Sequence, residues 1–487
     1  MTEKIKTQPQ VTDTECQLST HASDISEQDI RRLIRKIDWM LLPLVCFLNL
    51  LSFLDRGNIG NARLAGLEKD LNLKGLQYNA AVAILYPFYA LSEAPSNVMI
   101  KRVRPSVWLS FIMLVWGGVC IAMGFVRSYS GLLIVRAVLG FTEGGLLPGI
   151  VFYITMWYRR EELGFRLAIL VSAVTAAGAF GGFLARAIML MDGVGGRSGW
   201  SWIFIIEGLL TVVVAIAARF LLQDYPATAK FLSPAERHFI VKRIAEDQGY
   251  PNNDFDMKHV WQAFKDWKIY VYATFGLATA VPSYSIAVFL PTIIKGLKSN
   301  YSNTATQLMT TPPFLVGCLV TVIGGVLSDR TKRRGNWAIG FCCVGMIGFL
   351  MLLSTTNPHI QYAGCFFVIS GIFPATPLGL AWASSNISNA TKRAVSIAIY
   401  LGFTNLGGTA SAFVYAPRFA ASHYKKAHAI NFTMISVAAL TCIVLVVYFS
   451  EENAKREAAR PCNSYTDEER IGDGDKGEDA GFFRYTL

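Results

Sequence analysis

Along the chain, windows of about 20 mainly apolar residues alternate with short polar turns, and each window is long enough to cross a hydrocarbon layer of about 30 Å as a helix. The windows fall near residues 39–62, 77–100, 107–126, 131–157, 165–190 and 201–222, then near 268–294, 306–328, 336–355, 360–385, 395–417 and 428–449. Residues 223–267 are the long polar interruption between the two sets. The pattern predicts an all-α polytopic membrane protein of twelve transmembrane helices in two six-helix bundles. Its segments would be a tail (1–38), a bundle (39–222), a central loop (223–267), a second bundle (268–449) and a disordered tail (450–487) rich in charge and glycine.

Smaller elements are legible at the edges of the spans. Ser233-Pro234-Ala235-Glu236 is a capping box with proline at the first helical position, followed by Phe239, Ile240 and Ile244 at helical spacing, and predicts a short surface helix in the central loop. Ser26 and Asp29 would cap a second one before the first span, with Ile30, Leu33, Ile34 and Ile37 on one stripe and Arg31, Arg32, Arg35 and Lys36 around it. That helix is expected to lie along the inner membrane face. Pro282 and Pro291 mark where the seventh span could break.

Composition agrees: 53% of the 487 residues are hydrophobic and only 16% charged, against about 25% charged in soluble domains. Mean hydropathy is +0.38. The net charge of +11 does not point to nucleic acid, because the basic residues sit beside apolar spans rather than in a Lys/Arg-dense domain. Nine cysteines, an odd count and mostly inside apolar runs, imply no disulfide framework.

Basic residues also orient the chain. Lys101, Arg102 and Arg104, Arg159, Arg160 and Arg166, Arg330 and Lys332 to Arg334, and Lys392 and Arg393 all fall in turns on one side, so both termini are expected in the cytoplasm. The second and eighth spans end in similar basic turns, PSNVMIKRVR and GGVLSDRTKRRG. In the latter Asp329 can cap or pair at a helix end, with Arg330 and Arg333 at the interface.

Charged groups inside the spans cost a few kcal/mol each unless they face partners or water, which makes them functional candidates. They are Asp55 and Arg56, Glu93, Arg136 and Glu143, Arg186 and Glu207. Asn49, Ser52 and Arg56 share one stripe at i, i+3 and i+7, with Asp55 turned about 100° away. Arg136 and Glu143, two turns apart, share a face, so two guanidinium groups could converge on one cavity. Arginine pairs suit an organic carboxylate, and a buried acid suits a proton carrier. The structural alternative is mutual neutralisation of Asp55 by Arg136 or of Arg56 by Glu143. Arg186 and Glu207 are expected to pair structurally, and Glu93 with Asn97 to pack or gate. Among polar residues of the second half, Tyr284, Ser385, Asn386 and Asn405 are candidates of which most would join helices.

In order along the chain, LDRGNIGNA, SEAPSNVMIKR, RAVLGFTEGGLLPG, WIFIIEG and GVLSDRTKRRG resemble the anion:cation symporters of the major facilitator superfamily, in particular the fungal allantoate and nicotinate permeases, over residues 30–450. The resemblance implies anion recognition and proton coupling by the matching Asp55, Arg56, Arg136 and Glu143, with Asn405 as a contact from the second half. It also implies proton-coupled uptake of a small organic anion such as nicotinate, allantoate or pantothenate across the plasma membrane, by a monomer without cofactors. Ser201 departs from the pattern, standing where fungal relatives carry arginine.

A membrane enzyme is disfavoured, since all six histidines lie in tails, loops or helix ends and no HExxH, GxSxG or GxxxxGK[ST] pattern occurs. A channel fits the repeated halves poorly. Export of an acidic metabolite, or nutrient sensing without transport, are the alternatives.

Overall fold

The computed structural model describes residues 27–248, 257–297, 302–387, 390–422, 424–460, 478 and 480–487. Its first helix, α1, runs unbroken from Glu27 to Leu64, about 57 Å at 1.5 Å per residue and nearly twice the thickness of a hydrocarbon core. The separate surface helix expected before residue 39 is therefore the first part of α1. Leu33, Ile37 and Leu41 recur every fourth residue and are all buried, so one apolar stripe continues from the extension into the span. The expected Ser26 cap and the residues before it lie outside the described residues.

The first set continues with α2 in two pieces (Gln77–Ala83 and Leu85–Arg102), α3 (Pro105–Met123), α4 in two pieces (Tyr129–Glu143 and Leu146–Thr155), α5 (Arg160–Ile188) and α6 (Gly199–Leu221). The second holds α7 (Trp267–Leu297), α8 (Asn303–Thr331), α9 (Arg334–Ser354), α10 (Pro358–Ser385), α11 (Ala390–Val414) and α12 (Lys425–Ala459). Among the described residues, 11 helices are long and apolar enough to cross a membrane. The twelfth is α2, whose longer piece carries Glu93, Lys101 and Arg102 within 18 residues. α7 remains one helix through Pro282 and Pro291. Its buried flanks, Ala278, Ala280, Ile286 and Val288, hold the helix by packing where local hydrogen bonding is interrupted.

The capping box forms in the central connection: the Ser233 N–H donates to Glu236 Oε2 at 2.7 Å and the Glu236 N–H to Ser233 Oγ at 3.2 Å, opening a helix over Pro234–Gln248. Burial works against the Glu236 carboxylate, but bonds from Lys36 and the Ser233 amide hold its pKa below the ordinary value. Ion pairs dock this helix on the first bundle, Lys36 to Glu236 at 2.9 Å and Arg243 to Glu162 at 2.7 Å, while Arg166 grips Asp38 at 2.7 Å.

The expectation of disorder from residue 450 fails at both ends of that tail. α12 extends to Ala459, through the helix formers Glu451, Glu452, Ala454, Lys455 and Arg456. The last residues fold back on the second bundle, where Tyr485 is buried and stacks on Phe449 with ring centroids 4.4 Å apart. Residues 461–477 and 479 lie outside the described residues.

The bundles meet along α5 and α8, along α2 and α11, and where α1 touches α7. At the end away from the termini these seams are tight. Gly60 lets α1 rest on the Val288 carbonyl of α7, where any Cβ would collide. Asn79 donates to the Ala412 carbonyl at 2.5 Å, and Tyr78 meets Phe289 edge to face at 6.0 Å. That end of the molecule is closed.

Candidate functional site

Two faces of α1, about 100° apart, carry two separate buried polar clusters. On the first, Arg56 Nε donates to Glu143 Oε1 of α4 at 2.6 Å, with side-chain exposures of 7% and 0%. Ser52, one turn before Arg56, donates to the same carboxylate oxygen. The guanidinium lies over the Phe53 ring at 4.6 Å and the Tyr89 ring at 4.4 Å, a flat apolar clamp that orients its plane. Tyr86 of α2 meets Tyr284 of α7 edge to face at 4.9 Å, and Tyr284 lies within electrostatic reach of Arg56. Two turns further along α2, Asn405 of α11 donates to Glu93 at 3.4 Å. Both contacts cross between the bundles.

On the second face, Asn58 Nδ2 donates to Glu207 of α6 and lies 3.4 Å from Asp55 Oδ1. Asp55 also accepts from Cys120 Sγ of α3 at 3.6 Å. An amide thus bridges two carboxylates between α1, α3 and α6. The pairing of Glu207 with Arg186 expected from the sequence does not form among the described residues; Asn58 takes the carboxylate instead. Neither does Asp55 bond Arg136, whose Nε donates instead to the Ala81 carbonyl of α2 at 3.2 Å.

The structure therefore joins Arg56 to Glu143 and Tyr284 to their surroundings, brings Glu93 to Asn405, and sets Asp55 and Glu207 apart on α1's other face. Arg136 is buried near Tyr78 and Tyr86 and shares no bonded partner with Arg56, so the two guanidinium groups do not form one fork. Asn49 is spent on the Leu170 carbonyl of α5 at 2.9 Å, a tie between helices. Asn97 is half-buried. At the α8–α9 turn, Asp329 pairs with Arg334 at 2.9 Å, and Arg334 also donates to the Ala381 carbonyl and to Ser385 of α10. Arg330 and Arg333, expected at the interface, are exposed. Lys332 in the left-handed conformation (φ 54°) turns the chain there, which brings Arg334 rather than its neighbours back over Asp329.

Sequence reasoning missed Asn58, Tyr86 and Tyr89. Asn58 falls at i+3 from Asp55, and Tyr86, Tyr89 and Glu93 fall at i, i+3 and i+7, so helical spacing alone places each set on one face.

Several of these buried atoms have no hydrogen-bond partner among the described residues: Arg56 Nη2, Glu143 Oε2, Arg136 Nη1, Asp55 Oδ2 and Glu207 Oε1. An unmet buried donor costs about 1–3 kcal/mol. A guanidinium with one edge engaged and another unpaired, clamped between rings at the meeting of two bundles, is suited to exchanging one carboxylate for another.

A two-bundle, twelve-helix chain with polar groups buried at the bundle seam is the architecture of a secondary transporter. The chain belongs to the Major Facilitator Superfamily, whose family profile matches residues 45–412. An uncharacterized transporter of Schizosaccharomyces pombe is 36% identical over 430 residues, 88% of each chain. The high-affinity nicotinic acid transporter of Saccharomyces cerevisiae is 30% identical over 429 residues, 88% of this chain and 79% of that one. A bacterial homolog of the human lysosomal transporter Spinster, in its inward-facing, unoccupied crystal structure, matches with a TM-score of 0.64 at 13% identity, over 82% of this chain and 95% of that one. The protein is a multi-pass membrane transporter and not an enzyme.

Proposed function

We propose that this transporter takes up a small organic anion together with a proton, and that Arg56 and Glu143 couple the two. The observation that carries this reading is the buried Arg56–Glu143 pair with an unpaired atom on each side. A substrate carboxylate that takes the Nε edge of Arg56 in a bidentate grip displaces Glu143. A displaced Glu143 would be a buried anion without its cation, which costs several kcal/mol; taking a proton removes that cost. Ser52, now donating to the carboxylate, can turn its hydroxyl to accept from the protonated acid. Anion binding and proton binding thus favour each other at one site.

The site and the likeness both support a substrate class. A guanidinium between Phe53 and Tyr89 with Tyr284 nearby favours a monocarboxylate with an apolar or planar body over sugars or amines. The resemblance to nicotinate and allantoate permeases, together with the nicotinic acid transporter relative, supports nicotinate, allantoate, pantothenate or a similar acid. In this reading the protein works as a monomer in the plasma membrane with both termini in the cytoplasm. The test is uptake of labelled nicotinate by cells at external pH 5 and 7.5, with and without a protonophore, and with unlabelled carboxylates, sugars and amines as competitors. Uptake should rise at pH 5, collapse with the protonophore and be inhibited by carboxylates. Indifference to pH and protonophore, or inhibition by sugars or amines alone, refutes the reading.

A further inference from the structure

The chain's last residues occupy a groove built from polar and aromatic groups at the end of the second bundle that carries the C-terminus. Its walls are Asp266 just before α7, Lys268 and Tyr272 in its first turns, Asn386 at the end of α10, and Phe449 and Asn453 on α12. The groove holds backbone as well as side chains. Asn453 accepts from the Tyr485 N–H and donates to the Tyr485 carbonyl, both at 2.8 Å. Asn386 accepts from the Thr486 N–H at 2.8 Å and donates to its carbonyl at 3.1 Å, which Trp382 Nε1 also reaches at 2.7 Å. Paired amides of this kind grip an extended peptide as a neighbouring strand would. Tyr485 supplies the anchor: its ring lies flat on Phe449, with Lys268 and Arg456 at 5.1 and 5.2 Å from its centre, and its hydroxyl accepts from Lys268 at 3.1 Å. Arg456 collects the carbonyls of Glu478, Ala480 and Phe483.

The docked segment reaches the moving parts in two places. Glu478 is buried against Lys392 near the start of α11, and Lys392 also holds Asp266 at 2.7 Å before α7. α11 is the helix that faces α2 across the bundle seam. Trp382 and Asn386 lie in the final turns of α10, the same stretch that Arg334 grips through the Ala381 carbonyl and Ser385. A change of access that shifts the start of α11 relative to α7 must first break the Lys392–Glu478 and Lys392–Asp266 contacts.

We infer that this groove is a docking site for the chain's own C-terminal segment, residues 478 and 480–487, and that the docked segment restrains the start of α11 and slows the transport cycle. The restraint rests on the transport reading above; the docking does not. Two measurements on the full-length protein separate them. In the first, the purified protein is treated with a broad-specificity carboxypeptidase, and loss of Leu487, Thr486 and Tyr485 is followed by intact mass. Trimming of the wild type should be slow, Tyr485→Ala and Asn453→Ala should be trimmed about tenfold faster because opening of the segment limits cleavage, and Tyr485→Phe, which keeps the ring stack, should stay close to wild type. In the second, anion uptake is measured per molecule at the cell surface. The two undocking variants should show a maximum rate raised about two- to fivefold at unchanged half-saturation. Wild-type trimming as fast as that of the variants overturns the docking. Faster trimming with an unchanged or lower uptake rate overturns the restraint. A trimming contrast in a protein that carries no carboxylate would refute the substrate reading and leave the docking standing.

Discussion

Arg56 and Arg136 are both buried arginines of the first bundle, yet their surroundings assign them different work. Arg56 meets a carboxylate and two ring faces, whereas Arg136 is held by the Ala81 carbonyl. Arg56→Lys keeps the charge but loses the planar fork, so half-saturation for the anion should rise about 10- to 100-fold, the equivalent of a charge-assisted bond of about 1.5–3 kcal/mol. Arg136→Lys should cost less in affinity, since lysine can still donate to Ala81. Equal losses from the two, measured as anion uptake kinetics at matched surface levels, would make them one fork after all. Asn58 has a structural task, bridging Asp55 and Glu207. Asn58→Ala should lower the thermal unfolding midpoint in detergent, reflecting about 1–2 kcal/mol of lost buried hydrogen bonding, while Asn97→Ala leaves it unchanged. The charged residues were legible because a charge in an apolar run stands out. Their pairing was not, because spacing along one helix fixes which residues share its face but leaves open what the opposite helix presents. Arg186 looked to be the partner of Glu207, and an amide on α1 took that place.

At the scale of elements, the position of a residue along α1 decides whether it can change. A methyl group at Gly57 would meet no atom within 4 Å, whereas one at Gly60 would strike the Val288 backbone of the other bundle. Gly57→Ala should keep near-wild-type uptake, and Gly60→Ala, an equally conservative change on the same helix, should abolish it while the protein still reaches the membrane. Uptake in both variants would show that the α1–α7 seam yields at little cost. Eleven spans could be read from apolar length alone. α2 was read from its apolar window at 77–100 although Glu93, Lys101 and Arg102 depress its hydropathy, and the long extension of α1 was concealed because basic residues around a continuous apolar stripe look like a surface helix. The C-terminal segment was hidden for the opposite reason: its polar, glycine-rich approach masks Phe483, Tyr485 and Leu487, which find a groove that only the folded bundle provides.

In the proposed cycle of the whole molecule, the contacts that join the bundles at one end and the buried Arg56–Glu143 pair of the first bundle would act together. Alternating access requires a site that can be presented to either side, and a site whose occupied and unoccupied forms differ by a proton ties that movement to a pH gradient. The substitution Glu143→Gln mimics the protonated acid. It should bind and exchange anion across the membrane, yet fail to concentrate it when a pH gradient is imposed, as counterflow and accumulation in vesicles would report. Concentrative uptake by Glu143→Gln would move the proton role to Asp55 on the other face of α1.

If Glu143 leaves Arg56 protonated as the substrate carboxylate arrives, anion binding consumes protons, and titrating the purified protein with nicotinate in weakly buffered solution near neutral pH counts them. The wild type should absorb about one proton per anion bound, and Glu143→Gln should bind anion with none. Binding to the wild type without proton uptake, or proton uptake that persists in Glu143→Gln, would contradict the exchange at Arg56.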